Sequence, residues 1–418
     1  MTSNIGLVLV SALAACLFFY PRVLHSRPWR ATVTPLASII GSGFLVVAPI
    51  LAGTFGNAAW MAMLALCAIG YLYGAVIRYN IRYVEPRLSG LPKAGALIER
   101  ASDFMLSLAY FVSVAYYLNL FAAFGLRIFG VESRFAIQAV ATAAIAGAGL
   151  LGLSGGLRAL ERFEVGAVGL KLSIISGLVV VLVFFAAGTP RAGPPPAVEQ
   201  GFTSLQVLLG LVILVQGFET SRYLGNEYDS ETRIRTMRHA QWISSAIYII
   251  FVSLVTFLFQ EDLPATGGET AIIDMLRPLG GAVAPLLIIT ALASQSSAAV
   301  ADMNGAGGLL SETTKSRLSV NVGNLVTALM AIGITWSANI YEIIAYASKA
   351  FLGYYALQSV QAVRSSFERR QFGRALLFIA AALLAIAAIA LGKPAAAQGE
   401  NARQLRPGAL VSAFGRTA

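Results

Sequence analysis

The sequence predicts an all-α integral membrane protein of about twelve transmembrane helices, with two inverted sets of five at its centre. Three observations carry this. The 418 residues are 57% hydrophobic and only 12% charged, with a mean hydropathy of +0.73, whereas soluble domains carry about 25% charged residues. Twelve apolar runs have roughly the 17–25 residues that cross a bilayer as helix. Two of those runs, five spans apart, are interrupted at their midpoints by glycine and polar residues.

The runs lie near 4–20, 33–53, 57–77, 104–126, 135–153, 164–187, 203–225, 240–260, 282–306, 320–337, 340–362 and 374–392. They are helices rather than strands, because backbone polar groups in lipid must be satisfied within the segment. The first run holds "LAAC" (Leu13–Cys16), similar to a lipoprotein cleavage box. No basic region precedes it and "LFFYP" continues the run, so an extra retained span and its loop are expected over 1–32. Two halves follow at 33–187 and 203–362, then an additional span at 363–392. The polar tail 393–418 has no apolar period and is expected to be disordered. Cys16 and Cys67 lie in apolar runs and read as small buried hydrophobes, not as a disulfide or metal pair.

Orientation follows from the loops. Those after odd-numbered spans hold twenty Lys and Arg; the others hold four, Arg127, Arg134, Arg191 and Arg277. The rich set belongs in the cytoplasm, which leaves both termini outside. The expected home is a bacterial inner (plasma) membrane. This bias accounts for the net charge of +10, so no nucleic-acid partner is expected.

The second run reads "TPLASIIGSGFLVVAPIL", with Gly41, Ser42 and Gly43 at its middle; the seventh reads "LVILVQGFETSRYLG", with Gln216 and Gly217 there. Glycine inside a helix costs roughly 1 kcal/mol relative to alanine. Breaks at membrane depth survive where they line a cavity or are buried in protein. Five spans separate the two, so the second half enters the membrane upside down. Paired interruptions of this kind point to the binding site of a secondary transporter. Taken alone, the glycines at 41 and 43 also read as a small-residue packing face. That reading is weaker at Gln216 and Gly217, because Glu219 follows within one turn.

A half-helix that starts at Gly41–Gly43 would present free amides to an anion, with the Ser42 hydroxyl beside them. The inverted seventh span would offer carbonyls near Ile213–Gln216 to an ammonium. A carboxylate clamp opposite an ammonium clamp is what an α-amino acid requires. Tyr116, Tyr117 and Phe218 read either as aromatic lids over a ligand or as packing and interface anchors.

"ASIIGSGFLVVAP" and "QGFETSRYLGNEYD" resemble the first and sixth helices of the amino acid–polyamine–organocation (APC) superfamily. "VGLKLSIISG" (Val168–Gly177) is similar to that family's fifth helix with its lysine, and "ALASQSSAAVADMNGAGGLLSE" (Ala291–Glu312) to its eighth. The resemblance covers roughly 33–392. The eighth-helix stretch departs from the pattern by lacking the usual arginine and carrying Asp302. The resemblance implies a 5+5 inverted-repeat, leucine-transporter-type fold with two broken helices and an extra N-terminal span. It also implies substrate contacts at Ile40, Gly41, Ser42 and Gly43, and at Ile213, Gln216 and Phe218. Gly217 and Tyr117 complete the candidate set.

Two expensive charges remain. Glu219 lies three residues before Arg222, so an ion pair on one helix face is one reading. The other, supported by the family's glutamate, is a titrating group that couples gating to a proton or an amine. Lys171 lies about two turns into its span, where it either snorkels to the interface or points inward. In parts of the family a lysine here takes the place of a sodium ion between the first and eighth helices. Ser296 and Ser297 are its candidate partners. For Asp302, a pair with Lys171, a neutral acid and a contact with water all stay open. Proton coupling is preferred to sodium.

No catalytic constellation emerges: there is no H-E-x-x-H, no G-x-S-x-G and no P-loop. His25 and His239 read as solvated side chains. Neither an enzyme activity, a cofactor nor a bound metal is expected. The reading is a permease for an amino acid or related small amine, proton-coupled or exchanging, that works by alternating access. The alternatives are a polyamine or organic-cation carrier, and a transporter-like sensor.

Overall fold

The computed structural model describes residues 2–154, 157–188, 201–258 and 268–395. Its elements are α-helices and short 3-10 turns. The α-helices of eight residues or more are α1 (Thr2–Phe18), α2 (Arg27–Phe55), α3 (Ala59–Tyr83), α4 (Lys93–Leu126), α5 (Arg134–Leu153) and α6 (Leu157–Gly188). Then come α7 (Phe202–Leu209), α8 (Ser230–Leu258), α9 (Val283–Thr313), α10 (Val320–Ser337), α11 (Ile340–Glu368) and α12 (Phe372–Leu391). After α7 the chain continues as two 3-10 turns, Val212–Val215 and Phe218–Asn226; α7 and these turns together form the broken span.

Among the described residues, nine helices are long and apolar enough to cross a membrane. With α1, the broken span and the more polar α11, they match the twelve expected crossings. Several helices begin well before the apolar runs: α2 at Arg27, α4 at Lys93 and α8 at Ser230. Apolar length marks only the part in lipid, whereas the hydrogen-bond ladder continues into water with charged residues on it. Helix entries are set locally. At the start of α11, Asn339 accepts from the amides of Tyr341 and Glu342, while Glu342 accepts the Asn339 amide at 2.8 Å. This reciprocal cap satisfies donors the helix leaves open. The stretch expected to be disordered lies, from residue 396 on, outside the described residues.

The packing repeats when the two halves are exchanged. Helix α2 lies against α8, and the broken span against α3; α6 lies against α9, and α11 against α4. Helix α4 packs on α5 as α9 packs on α10, and α6 on α8 as α11 on α3. Even the two outlying helices match, since α1 runs along α6 and α12 along α11. This is the contact pattern of a five-plus-five inverted pair. Helix α1 comes close to α6 at Gly177, where a β-carbon would stand 2.9 Å from the Leu7 carbonyl oxygen.

One of the two expected breaks is absent. Helix α2 is continuous from Arg27 to Phe55, through Gly41, Ser42 and Gly43. The glycines serve close packing instead. A β-carbon on Gly43 would stand 2.7–2.8 Å from the Cβ and Cα of Leu214 in the broken span, and one on Gly41 3.3 Å from the Cβ of Ala298 on α9. A helix keeps its ladder here because the missing side chains let two other segments approach, which offsets the cost of glycine.

Candidate functional site

The site is built around the true break. Gly217 has φ 118°, a conformation that side chains other than glycine rarely adopt. It also lies directly on α2: a β-carbon would stand 2.7 Å from the Ile39 nitrogen and from the Ser38 carbonyl carbon. Gly43 meeting Leu214 and Gly217 meeting Ser38 and Ile39 form a reciprocal contact, in which each candidate segment gives up a side chain to admit the other. Two backbone groups on the broken span have partners on other elements. The Ile213 amide donates to the Ser348 hydroxyl of α11 at 3.0 Å, and the Lys393 amide, just past α12, donates to the Gln206 carbonyl at 2.9 Å. The Ile213 carbonyl, one of those expected to be open, accepts the Gln216 amide at 3.2 Å.

Glu219 is fully buried. Its Oε2 accepts the Gly217 amide at 3.0 Å and the Tyr355 phenol of α11 at 2.8 Å, while Oε1 has no hydrogen-bond partner. The carboxylate therefore holds the amide of Gly217 just ahead of the 3-10 turn that begins at Phe218, where the positive end of the helical dipole favours it. Around it, the Tyr355 ring stacks on Phe218 at 5.3 Å and on Tyr73 at 4.8 Å. Gln216 donates from Nε2 to the Tyr117 hydroxyl at 3.2 Å, and Tyr116 packs against Tyr117 with ring centroids 5.3 Å apart. Both tyrosines are fully buried and stand within the packing.

The pairing of Glu219 with Arg222 is not found. Arg222 turns to α4 and donates to Glu99 at 2.7 Å, in a pair whose side chains are 8% and 9% exposed. Glu219 points the other way, toward the Gly217 amide and α11, and has no ion pair among the described residues. Next to it, Arg233 of α8 donates through both Nη1 and Nη2 to Glu85, at 3.0 and 2.7 Å, and from Nη1 to the Arg222 carbonyl at 2.9 Å.

Lys171 does not snorkel. It is buried, and Nζ donates to the Ala37 carbonyl of α2 at 2.6 Å and to the Ser294 hydroxyl of α9 at 3.4 Å. The expected partners Ser296 and Ser297 are displaced by helical geometry. Ser294 shares the inward face of α9 with Ala298, one turn on, whereas Ser296 returns its hydroxyl to the Leu292 carbonyl at 2.7 Å. Two further side chains reach carbonyls in the same stretch of α2. Tyr248 donates to Ile39 at 2.8 Å and Gln295 to Gly41 at 3.2 Å. Asp302 accepts the Ser113 hydroxyl of α4.

The sequence-derived candidates thus fall into two joined groups. Gln216, Gly217, Phe218 and Glu219 meet Tyr117 and Tyr355; Gly41 and Lys171 meet Ser294 and Gln295. Sequence reasoning missed Tyr355, Ser348, Gln295, Ser294 and Glu99. A signal existed for α11: Ser348, Phe351, Tyr355 and Gln358 recur at helical spacing and are all buried.

Comparisons with known proteins bear on the family and the fold. The family model described as APC superfamily transporter matches residues 21–392. An uncharacterised protein of Aquifex aeolicus (strain VF5) is 42% identical over 379 residues, covering 89% of this chain and 93% of its own. Among solved structures, Mhp1, a nucleobase-cation-symport-1 family transporter in a closed conformation with bromovinylhydantoin bound, superposes with a TM-score of 0.52. It is 13% identical, with 86% of this chain and 91% of that one covered. A point mutant of the Eremococcus coleocola manganese transporter gives 0.53 at 12% identity, covering 93% and 92%. At these identities the two structures speak for the fold alone.

Proposed function

Because the chain belongs to the APC superfamily of transporters, and is therefore a multi-pass secondary transporter, we propose that it moves an amino acid or related small amine across a bacterial inner membrane. Access alternates across the break at Gly217, and movement is coupled to a proton or to exchange. The observation that carries this reading is Glu219. It is a fully buried carboxyl on the broken span, with Oε2 doubly bonded and Oε1 without a partner. The open oxygen can accept a proton, or the N–H of an amine, without losing either existing bond. Ionisable groups at this depth are functional candidates by default.

Lys171 is the second coupling group. Its ammonium spans α2 and α9 through Ala37 and Ser294, which supports a fixed cation there instead of a transported sodium. A carboxylate clamp on α2 would require that helix to open at Gly41–Gly43 when substrate enters.

A specific observation favours an organic cation as the second reading. The unpartnered atoms at the site include the acceptors Glu219 Oε1 and Gln295 Oε1, while the amides of Gly41–Gly43 lie inside a continuous helix. Uptake of labelled amino acids and amines into proteoliposomes tests both. Uptake of a zwitterion that responds to an imposed pH gradient supports the first; uptake of amines alone supports the second. No uptake of either class, by protein shown to be folded, would sink both.

A further inference from the structure

We propose that a cleft on the face assigned to the cytoplasm binds a phosphate-type oxyanion, held by Arg364 and Arg87. The cleft lies where the end of α3, the 3-10 turn Glu85–Gly90 and the last turns of α11 meet. It is a shallow cleft open to solvent, and its walls include Tyr83, Arg87, Arg364, Ser365 and Glu368. None of these residues belongs to the transport site, and the proposal stands whatever the cargo is.

The charges in this cleft do not balance. Arg364 donates from Nη2 to Glu368 at 2.9 Å, but its Nη1 is buried without a hydrogen-bond partner. Glu368 is 49% exposed and engages only one arm of the guanidinium fork. Arg87 is exposed and makes no ion pair among the described residues. A third guanidinium, Arg369, lies 4.3 Å over the ring of Tyr83, and its Nε is also buried and unpartnered. The nearby acid that could neutralise them, Glu85, is held at both oxygens by Arg233.

Two guanidiniums, Arg87 and Arg364, therefore line the cleft with one half-committed carboxylate, and Arg369 stands next to it on Tyr83. Guanidinium forks match the oxygens of a phosphate group, and two of them can share one anion. The placement of Arg364 is built in. Gly95, in the first turn of α4, leaves the room its guanidinium fills, and any β-carbon there would collide with Nη1. Ser365 adds a hydroxyl to the wall. The same chemistry suits a free phosphate and the phosphodiester of an anionic lipid headgroup. Either occupant would tie α11 to the end of α3.

The test is thermal unfolding of the purified full chain in neutral detergent, with inorganic phosphate compared to chloride at equal ionic strength. Phosphate should raise the midpoint saturably. Arg364→Gln and Arg87→Gln should each weaken the apparent affinity about tenfold, and Glu368→Gln, which removes the competing carboxylate, should tighten it. Nanodiscs of phosphatidylcholine, with or without phosphatidylglycerol, separate the sources. A free anion raises the midpoint in both; a headgroup raises it through phosphatidylglycerol alone, and phosphate then adds nothing. A midpoint unmoved by phosphate and by phosphatidylglycerol would overturn the site, as would equal responses from the wild type, Arg364→Gln and Glu368→Gln. Should Arg364→Gln fail to fold, the opposite shifts expected of Arg87→Gln and Glu368→Gln still decide.

Discussion

Tyr355 donates its phenol to Glu219 across 2.8 Å, joining α11 to the broken span at the residue on which the function is proposed to turn. The same ring stacks on Phe218 and Tyr73, so one side chain fixes both the carboxylate and the aromatic wall beside it. Because Oε2 takes this bond and the Gly217 amide together, motion of α11 relative to the break must change how Glu219 is held.

Tyr355→Phe keeps the stack and removes only the hydroxyl. Hydrogen bonds to charged groups are worth about 1.5–3 kcal/mol, so initial uptake should fall about tenfold or more. Glu219→Gln should cost at least as much, and the double variant less than the sum of the two, since both act on one bond. Strictly additive losses in proteoliposome uptake would show that the bond plays no part.

The Glu99–Arg222 pair bridges α4 and the inner arm of the broken span with both side chains nearly inaccessible. Removing one partner strands a buried charge, at a cost of about 3–5 kcal/mol, whereas replacing both with apolar residues is often close to neutral. Arg222→Met and Glu99→Leu should each lower the unfolding midpoint sharply in detergent. The double variant should recover most of the loss. A double variant as unstable as the worse single one would mean the arginine and glutamate act separately.

Gly217 and Gly147 make opposite predictions for the same change. Gly217→Ala must place a β-carbon at φ 118° and 2.7 Å from the Ile39 nitrogen, so α2 and the break have to separate. Gly147 sits within α5 with nothing within 4 Å of an added β-carbon. Gly147→Ala should therefore stabilise by up to about 1 kcal/mol, the helical preference of alanine over glycine. Gly217→Ala should abolish uptake and lower the unfolding midpoint, and full activity in that variant would refute the close approach.

Asp229 caps α8 in the loop after the broken span. Its carboxylate accepts the Thr232 amide at 2.9 Å and hydroxyl at 2.7 Å, which hold its pKa below the usual carboxylate range. A lowered folded pKa means the contribution is complete above the unfolded value, about 3.9. It is lost as pH falls through the folded one. Asp229→Ala should lower the midpoint at neutral pH, with the difference from wild type shrinking below about pH 4. A difference that grows on acidification would contradict the cap.

Much of this was legible in the sequence because lipid imposes simple rules. Apolar run length gives the crossings, and the spacing of the two interrupted runs gives the inversion. What the sequence could not give was which glycines break a helix and which admit a neighbour. Gly43 and Gly217 look alike in one dimension. They differ because Gly217 follows a stretch in which the Ile213 amide leaves the ladder for the Ser348 hydroxyl of α11, whereas the residues around Gly43 stay within the ladder of α2. Partner choice was equally hidden. Arg222 is three residues from Glu219 yet bonds Glu99, 123 positions away, and Lys171 selects Ser294 because that hydroxyl lies on the inward face of α9.

Lys171 carries the last prediction, on the coupling ion. Its ammonium donates to the Ala37 carbonyl and the Ser294 hydroxyl, two oxygens of the kind that hard cations seek. With the lysine present, a sodium ion would have to share that gap with a fixed positive charge, so wild-type uptake should not change when sodium is replaced by choline. Lys171→Ala removes the charge and leaves the oxygens, and uptake should then lose its response to an imposed pH gradient and gain a dependence on sodium. Lys171→Arg keeps a charge that does not titrate in this range, so it should stay sodium-independent while also losing the pH response. Sodium-dependent uptake by the wild type would reverse the assignment, because a bound ion would then have to lie beside the ammonium. Uptake by all three proteins with the same pH response would remove Lys171 from coupling and leave Glu219 as the group to test.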